Sequence, residues 1–247
     1  MKKIFFAAVS LMFLVSCQIT ERMYLSETGM VKQETEIDFS ALMSFAFSPE
    51  QQDSMRLTGE FPIDTIVSLA DINEVANMDS ETSEYEKAFN NAFQKSKVRF
   101  LMSENQGVFT LMNNEMSVKD YNAYQKNIEK AYQEFKNNDK KSAGEMMLTG
   151  YGTMLQYSLN GKTFERNSLN SSFDFSLVEE GDDEEMSTKD MLGMYTYKIE
   201  YHFPKTVKSV DHKGATISTD GKTVTVVATM SEILENPEKF NFKVEME

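Results

Sequence analysis

The sequence predicts an α+β fold with a mostly antiparallel sheet, built from hairpins and packed by one long amphipathic helix and several short helices. Alternating apolar segments separated by turn residues recur along the chain, as in hairpins. The otherwise polar segment at about 118–137 carries apolar residues at spacings of three and four, which predicts the long helix: Tyr121, Tyr124, Ile128, Ala131 and Phe135. Of the 247 residues 40% are hydrophobic, which is ordinary for a folded soluble protein. The length allows one large domain or two small ones, and we expect residues 23–247 to form a single domain, with any sub-boundary near 137–145.

Two hairpins are predicted ahead of the long helix. Residues 23–37 form the first hairpin, with its turn at Glu27-Thr28-Gly29, and residues 97–116 form the second. Ser117 lies three residues before Asp120, a capping-box-like spacing that predicts where the long helix begins.

The segment between these hairpins is less regular. We expect a short helix from about Ser40, a polar loop over residues 48–60 and a second helix within residues 61–75. Ile63, Ile66 and Val67 in the last of these segments also suit a strand, so the sequence leaves both alternatives open.

The C-terminal half reads as strands and turns. We expect a hairpin at residues 157–164 around Asn160-Gly161, an acidic loop at residues 177–189, a short helix from Ser231, and strands at 195–203, 207–210, 215–218, 222–229 and 240–244. Asp220-Gly221 predicts a type I′ turn, because both of its central positions tolerate a positive φ.

The N-terminus has the composition of a secretory signal. Lys2 and Lys3 precede an apolar stretch over residues 4–15, which ends in Ser16 and Cys17. A membrane-spanning helix would need roughly 20 apolar residues. Polar residues follow Cys17 at once, so cleavage is expected rather than a span.

Leu14-Val15-Ser16-Cys17 resembles the lipobox of bacterial lipoprotein precursors. That chemistry needs a thiol at the cleavage site, a small residue before it and an apolar residue three before it, as Cys17, Ser16 and Leu14 provide. The resemblance implies that residues 1–16 are removed and that residues 17–22 are the lipidated N-terminus, with diacylglycerol on the Cys17 thiol and an acyl chain such as palmitate on its amine. Several chains, at roughly 0.8 kcal/mol per buried methylene, would anchor the protein to the membrane almost irreversibly.

The same resemblance bears on location. Gln18 is not the aspartate associated with inner-membrane retention, which favours the cell outer membrane. Relatives displayed on the cell surface carry an acidic cluster after the cysteine, whereas Glu21 is the only acid here before Arg22. The resemblance therefore favours the periplasmic face over the cell surface.

Both ends of the mature chain resemble uncharacterised lipoproteins of Gram-negative bacteria. The shared features are Tyr201-His202-Phe203-Pro204, the Ser-x-Asp-Gly-Lys-Thr-Val hairpin from Ser218 to Val224, and Ile37-Asp38-Phe39-Ser40 ahead of a short helix. These motifs are structural, so the resemblance supports the fold and implies no activity.

Charge and cysteine content exclude several classes of protein. The formal net charge is -14, and no segregated basic run is present, which argues against binding to nucleic acid. Removal of Lys2 and Lys3 would bring the charge to -16, so anionic lipid would repel the mature chain. Because Cys17 is the single cysteine, the chain can form neither an intramolecular disulfide nor a thiolate metal cage.

Catalytic motifs are weak throughout. Gly161-Lys162-Thr163 and Gly221-Lys222-Thr223 match the end of a phosphate-binding loop, but neither has the earlier glycine that such a loop needs, so we interpret both as hairpin turns. His202 and His212 are the only histidines, and no Gly-x-Ser-x-Gly elbow accompanies them. We therefore predict no catalytic residue, no metal site and no cofactor.

Three other patterns suggest ligands. The acidic run at residues 179–185 lacks EF-hand spacing, so we interpret it as a solvated loop rather than a weak divalent site. Met186, Met191 and Met194 could bind copper(I), but methionine is also a common core filler. The aromatic stripe of the long helix, which includes Tyr121, Tyr124, Tyr132 and Phe135, is expected to pack in the core rather than to contact a partner.

Together these observations predict a non-catalytic, membrane-anchored lipoprotein of the cell envelope that binds or assembles with an unidentified protein or envelope partner. Cys17 is its predicted lipidation site, with Leu14, Val15 and Ser16 completing the lipobox. The alternatives are a carboxylate-dependent envelope hydrolase, which a close pair of buried acids in a deep pocket would favour, and a weak metal-binding lipoprotein.

Overall fold

Two β-sheets pack face to face, and one long helix lies against the smaller sheet. The computed structural model describes residues 18–41, 48–59, 62–69, 93, 95–103, 105–136, 155–169 and 193–247. Within these ranges strands predominate over helices, which confirms an α+β fold. No helix among the described residues is both long enough and apolar enough to cross a membrane.

Thirteen strands and three α-helices are described, with a short 3₁₀ helix near the C-terminus. In chain order they are β1 (Gln18–Leu25), β2 (Met30–Asp38), α1 (Pro49–Leu57), β3 (Ile63–Ser68), β4 (Ser96–Met102), β5 (Gly107–Asn113), β6 (Met116–Ser117), α2 (Val118–Lys136), β7 (Leu155–Asn160), β8 (Thr163–Ser168), β9 (Thr196–His202), β10 (Val207–Val210), β11 (Thr216–Ile217), β12 (Thr223–Thr229), α3 (Met230–Glu235), the 3₁₀ helix (Pro237–Phe240) and β13 (Phe242–Met246).

The larger sheet has nine strands and is mixed rather than purely antiparallel. Its order is β11-β12-β9-β1-β2-β5-β4-β3, and β6 pairs with β2. β1 lies in its interior, antiparallel to β2 and parallel to β9. The sequence pattern predicted hairpins but not this parallel pair, because a hairpin pattern reports strands that are neighbours in sequence, whereas a parallel pair needs a long connection.

Alternation of side chains gives the larger sheet two distinct faces. On β1 the side chains of Ile19, Glu21 and Met23 point to a buried face, which we call the inner face. Arg22 and Tyr24 point the other way, to the outer face, where they are partly exposed to solvent.

The smaller sheet covers the inner face of the larger one. It is antiparallel, in the order β10-β13-β8-β7. Phe164 of this sheet makes an edge contact with Phe203, which directly follows β9 of the larger sheet, with ring centroids 5.5 Å apart. Phe242 packs on Tyr201 at the same distance. Burial of these rings between the sheets adds to the apolar area of the core, which also includes many aliphatic side chains.

Helix α2 confirms the helix predicted at about 118–137. The Ser117 hydroxyl accepts a hydrogen bond from the Asp120 backbone N–H (3.1 Å), so the predicted capping residue does begin the helix. Tyr121, Tyr124 and Ile128 are buried, which confirms that this part of the aromatic stripe packs in the core. The Tyr132 and Phe135 side chains lie outside the described residues.

The same helix also protects the edge strand β7. The Asn122 side-chain amide donates to the Tyr157 carbonyl (2.8 Å), and its oxygen accepts from the Tyr157 N–H (2.9 Å). The amide thus takes the hydrogen-bonding positions of a neighbouring strand, which would otherwise leave β7 open to another chain.

Helix α1 corrects the loop predicted over residues 48–60. Ser48 and Gln51 form a reciprocal capping box, and Pro49 occupies the first turn, where it needs no hydrogen-bond partner for its nitrogen. These local start signals outweigh the polar composition that suggested a loop.

A strand also replaces the helix predicted within residues 61–75. Ile63–Ser68 forms β3, paired with β4, as the alternative interpretation of Ile63, Ile66 and Val67 allowed. Of the short helix predicted from Ser40, only Ser40 and Ala41 fall within the described residues, and both are helical. The acidic loop at residues 177–189 lies outside the described residues.

The remaining strands and turns match their predictions, with two differences. The final strand begins at Phe242 rather than at residue 240, because a 3₁₀ helix extends through Phe240. The turn at Asp220-Gly221 is not type I′: Gly221 has a φ of 72°, but Asp220 does not have a positive φ. The Asp220 carboxylate instead accepts a hydrogen bond from the Lys222 N–H (3.0 Å), which stabilises a longer loop.

Candidate functional site

The predicted lipidation site precedes the first described strand directly. Leu14, Val15, Ser16 and Cys17 lie outside the described residues, and β1 begins at Gln18. Gln18 is already in register with Asp38 of β2 and Thr196 of β9. The chain therefore enters an interior strand of the larger sheet at the residue next to Cys17.

Four residues beyond Cys17, Glu21 enters a buried ion pair that joins the two sheets. Arg166 of β8 donates from Nη2 to Glu21 Oε2 (3.0 Å), and both side chains are only 1% exposed. Arg166 also donates from Nη1 to the Phe240 carbonyl (2.9 Å) and from Nε to the Tyr201 hydroxyl (2.9 Å). Each guanidinium nitrogen thus has an acceptor.

Three tyrosines complete this buried network. Tyr197 donates to Glu21 Oε2 (2.9 Å), and the Tyr201 hydroxyl donates to Glu21 Oε1. Because that proton is engaged, the Tyr157 hydroxyl, 2.8 Å from the Tyr201 oxygen, must be the donor between these two residues. The carboxylate, the guanidinium and the three hydroxyls thus each have hydrogen-bond partners within the network.

The network is electrostatically coupled. Burial alone would lower the pKa of Arg166, but the Glu21 carboxylate holds that pKa well above its usual range. Burial, reinforced by the Glu21 charge, raises the pKa of Tyr201 well above its usual range. The network holds β1 against β8, and because its two charged groups are inaccessible it cannot receive a ligand without movement of the sheets.

A second chain of polar groups links helix α2 to the larger sheet. Tyr121 donates to Gln33 Oε1 (2.6 Å) and accepts from Gln125 Nε2 (2.7 Å), while its ring stacks on Tyr157 with centroids 4.6 Å apart. The Tyr124 hydroxyl lies 2.7 Å from the Ser96 hydroxyl. The aromatic stripe thus contributes hydrogen bonds as well as apolar area.

The outer face of the larger sheet carries a part-buried cluster built around His202. The His202 ring stacks on Tyr24, with centroids 4.7 Å apart and planes at 7°. Its Nε2 lies 3.0 Å from Glu200 Oε1, and its Nδ1 lies 3.2 Å from Thr223 Oγ1. Hydroxyl, imidazole and carboxylate therefore stand in the order used by nucleophilic hydrolases.

The surroundings of this cluster bear on catalysis in two ways: the Glu200 carboxylate is held ionised, which is compatible with catalysis, whereas the neighbouring backbone donors are engaged, which weighs against it. Burial opposes ionisation of Glu200, but hydrogen bonding and charge from Lys198, with help from His202 and Arg22, outweigh it and lower the pKa of Glu200. The backbone N–H groups of Thr223 and Lys222 already donate to Ser218 Oγ (2.9 Å) and Asp220 Oδ1. They are therefore unavailable to stabilise an oxyanion beside the Thr223 hydroxyl.

Ion pairs extend along this outer face. Arg22 bridges Glu36 (3.0 Å) and Glu200 (3.5 Å), which lie on the strands to either side of β1. Lys32 pairs with Glu34, and its ammonium lies 5.8 Å from the centre of the Tyr24 ring. The face is thus polar and internally paired, with an aromatic pair at one corner.

The other residues that the sequence singled out lie apart from the His202 cluster. Gly161-Lys162 and Gly221-Lys222 lie in hairpin loops, as predicted. His212 Nδ1 accepts from the Gly214 N–H (3.1 Å), so its Nε2 donates to the Lys239 carbonyl (3.2 Å), which braces a loop. Of the methionine group, only Met194 is within the described residues, and it is exposed.

The described residues give little support to the metal-binding and paired-acid hypotheses. Within them, no group of three or more His, Cys, Asp or Glu side chains is placed to hold a metal ion. Glu21 is the only acid in their buried set, and its partner is an arginine rather than a second acid. The acidic run at 179–185, like Met186 and Met191, lies outside the described residues.

Comparison with known proteins gives one distant likeness. No protein-family profile matches the sequence, and no curated protein matches it significantly. Among solved structures, the folded domain of the Mycobacterium tuberculosis protein LppM, determined by NMR, is similar at 9% sequence identity and a TM-score of 0.40, over 94% of this chain and 89% of that one. At this identity and score the likeness supports no conclusion about family, activity or location.

The buried ion pair predicts strong energetic coupling. Arg166→Met should lower the free energy of unfolding by about 3–5 kcal/mol, because it leaves the Glu21 carboxylate buried without its cation. The double change Glu21→Gln with Arg166→Met should cost clearly less than the sum of the two single changes. Urea unfolding of the four proteins, followed by circular dichroism, measures this coupling. Lys243→Met, at an exposed pair with Glu165, is the control and should change the midpoint little. Additive effects at Glu21 and Arg166 would contradict the coupling.

The buried tyrosines predict a loss of stability at alkaline pH. Burial raises the pKa of Tyr124 from 10.0 to about 12, and it also raises the pKa values of Tyr121, Tyr157 and Tyr201 well above the usual range. The unfolded chain therefore loses protons first, so stability should be complete below pH 10 and fall as the pH rises towards and past 12. Tyrosinate absorbance and circular dichroism should change together across this range, and Tyr124→Phe should remove one ionising group. Ionisation of all tyrosines near pH 10 with an unchanged dichroism spectrum would argue against the prediction.

Proposed function

We propose that the chain is a lipid-anchored lipoprotein of the bacterial cell envelope, with a non-catalytic role in binding or assembly. We place its anchor in the outer membrane on the periplasmic face, attached through Cys17. The observation that carries the proposal is the position of Cys17: it ends a lipobox and directly precedes an interior strand of the larger sheet.

The anchor would be short and strong. A signal segment with Leu14, Ser16 and Cys17 in lipobox positions supports acylation at Cys17. Several acyl chains, at roughly 0.8 kcal/mol per buried methylene, suffice for stable attachment without a membrane-spanning helix. The acidic charge of the chain opposes attraction to anionic lipid, so the acyl chains rather than a basic surface would hold the protein.

The outer face of the larger sheet is the surface we propose for the partner. It carries three large apolar or aromatic side chains that are open to solvent: Tyr24, Ile66 and Val227, of which Val227 is 60% exposed. Ion pairs such as Arg22–Glu36 lie between them and would add orientation to a contact. We propose a protein or envelope component, rather than nucleic acid, because acidic side chains are numerous on this chain.

A non-catalytic role is favoured over hydrolysis on two grounds. The buried acid Glu21 is neutralised by Arg166 inside the core, where substrate cannot reach it. In the hydroxyl–imidazole–carboxylate cluster of the outer face, the backbone N–H groups of Thr223 and Lys222 are engaged elsewhere. The metal-binding alternative depends on residues outside the described part of the chain.

Lipidation gives the first test. Cells fed a radiolabelled or alkyne-labelled palmitate should incorporate the label into the wild-type protein and not into Cys17→Ala, because that thiol begins the acylation sequence. Gln18→Ala, next to the modified residue, is the matched control and should retain the label. Label that persists in Cys17→Ala would overturn the anchor.

The outer face gives the second test. A photo-crosslinking amino acid at Val227 should capture a discrete partner in living cells, whereas the same group at exposed Lys208 on the smaller sheet should not. Immunoblotting followed by mass spectrometry identifies the product. Identical products from both positions, or none from Val227, would contradict a partner on the outer face.

A further inference from the structure

The first residue of β1 marks one end of the larger sheet. The strand register places the following residues at that end beside Gln18: Asp38, Val108, Thr196 and Thr229. We call this the Gln18 end. Helix α3 and the 3₁₀ helix close it, because they connect the last residue of β12 to the first residue of β13.

The opposite end of the fold is made of turns. The β1–β2 turn lies there, and a Cβ atom added at its Gly29 would come within 3.1 Å of Leu159 near the β7–β8 turn. The loop containing Gly221 is at the same end, since a Cβ atom added at Gly221 would come within 2.7 Å of Thr206 Cγ2, and Thr223, two residues further on, pairs with His202. The eight residues of β1, at about 3.3 Å per residue, put these turns roughly 25 Å from Gln18.

We propose that the Gln18 end rests against the lipid bilayer, so that the strands of the larger sheet stand upright on the membrane. This inference rests on the proposed acylation of Cys17. Gln18 is the next residue, and the register with β2 and β9 fixes its backbone. No residue remains to serve as a linker, so acyl chains inserted in the bilayer bring this end to the head groups.

The surface at the Gln18 end suits contact with neutral lipid. Met194, two residues before Thr196, is 63% exposed, although it is a large apolar side chain. Leu169 is 43% exposed and follows Ser168, whose N–H donates to Asn241 just after the 3₁₀ helix. Apolar side chains of this kind can enter the interfacial region of a bilayer.

The charges at this end indicate which lipid head groups it would contact. Three acids, Glu232, Glu235 and Glu238, outnumber the one basic residue, Lys239, on the segment that closes it. They would be repelled by anionic head groups. The lipid surface we propose is therefore zwitterionic, and the contact depends on the acyl anchor rather than on charge.

The test compares labels at the two ends of the acylated, full-length protein. Acylation blocks the thiol of Cys17, which is the single cysteine, so a cysteine introduced elsewhere is the only free thiol. Met194→Cys and Leu169→Cys report on the Gln18 end, and exposed Thr219→Cys reports on the opposite end as the matched control. Each variant carries a fluorophore and is reconstituted in phosphatidylcholine vesicles that contain a lipid with a nitroxide quencher on its head group.

Quenching should be several-fold stronger at positions 194 and 169 than at position 219. Equal quenching at the two ends, or stronger quenching at position 219, would overturn the upright orientation while leaving the anchor intact. The mass of the Cys17 peptide and flotation with vesicles are measured on the same samples. A peptide without acyl chains would overturn both the anchor and the orientation, so the two failures are distinguishable.

Discussion

The buried ion pair between Glu21 and Arg166 is the interaction on which the arrangement of the two sheets depends. Removing both charges from water costs several kcal/mol each, and only their mutual attraction and full set of hydrogen bonds offset that cost. The pair is satisfied in a single relative placement of β1 and β8. Apolar contacts such as Phe164 on Phe203 favour stacking of the sheets, but they tolerate sliding far better than a charged pair does.

Local patterns predicted local structure well. The hairpins and helix α2 were predictable because alternation, turn residues and the Ser117 cap act between residues close in sequence. Helix α1 was predictable in principle, since Ser48, Pro49 and Gln51 form a start signal. The parallel pairing of β1 with β9 was not, because nothing in either strand's own pattern selects so distant a neighbour.

The candidate sites likewise differ in whether they depend on residues that are close in sequence or distant in sequence. The lipobox could be identified because it is a short linear motif. The buried network left a weaker signal: Glu21 occupies an inward position between Ile19 and Met23, where an apolar residue is expected. Such a charge implies a buried partner but does not say which cation, and Arg166 comes from the other sheet. The outer-face arrangement around His202 likewise depends on the pairing of β9 with β12.

The interior position of β1 also governs the order in which the chain can fold. β1 and β2 are neighbours in sequence and can pair early, but the strand that covers the other edge of β1 does not begin until Thr196. Until then β1 presents an open row of backbone donors and acceptors, the feature that promotes association between chains. Until β8 is in place, the Glu21 carboxylate has no Arg166 to pair with and is hydrated by water. The residue that joins the finished sheets would thus also place a charge on the strand while one of its edges is still unpaired.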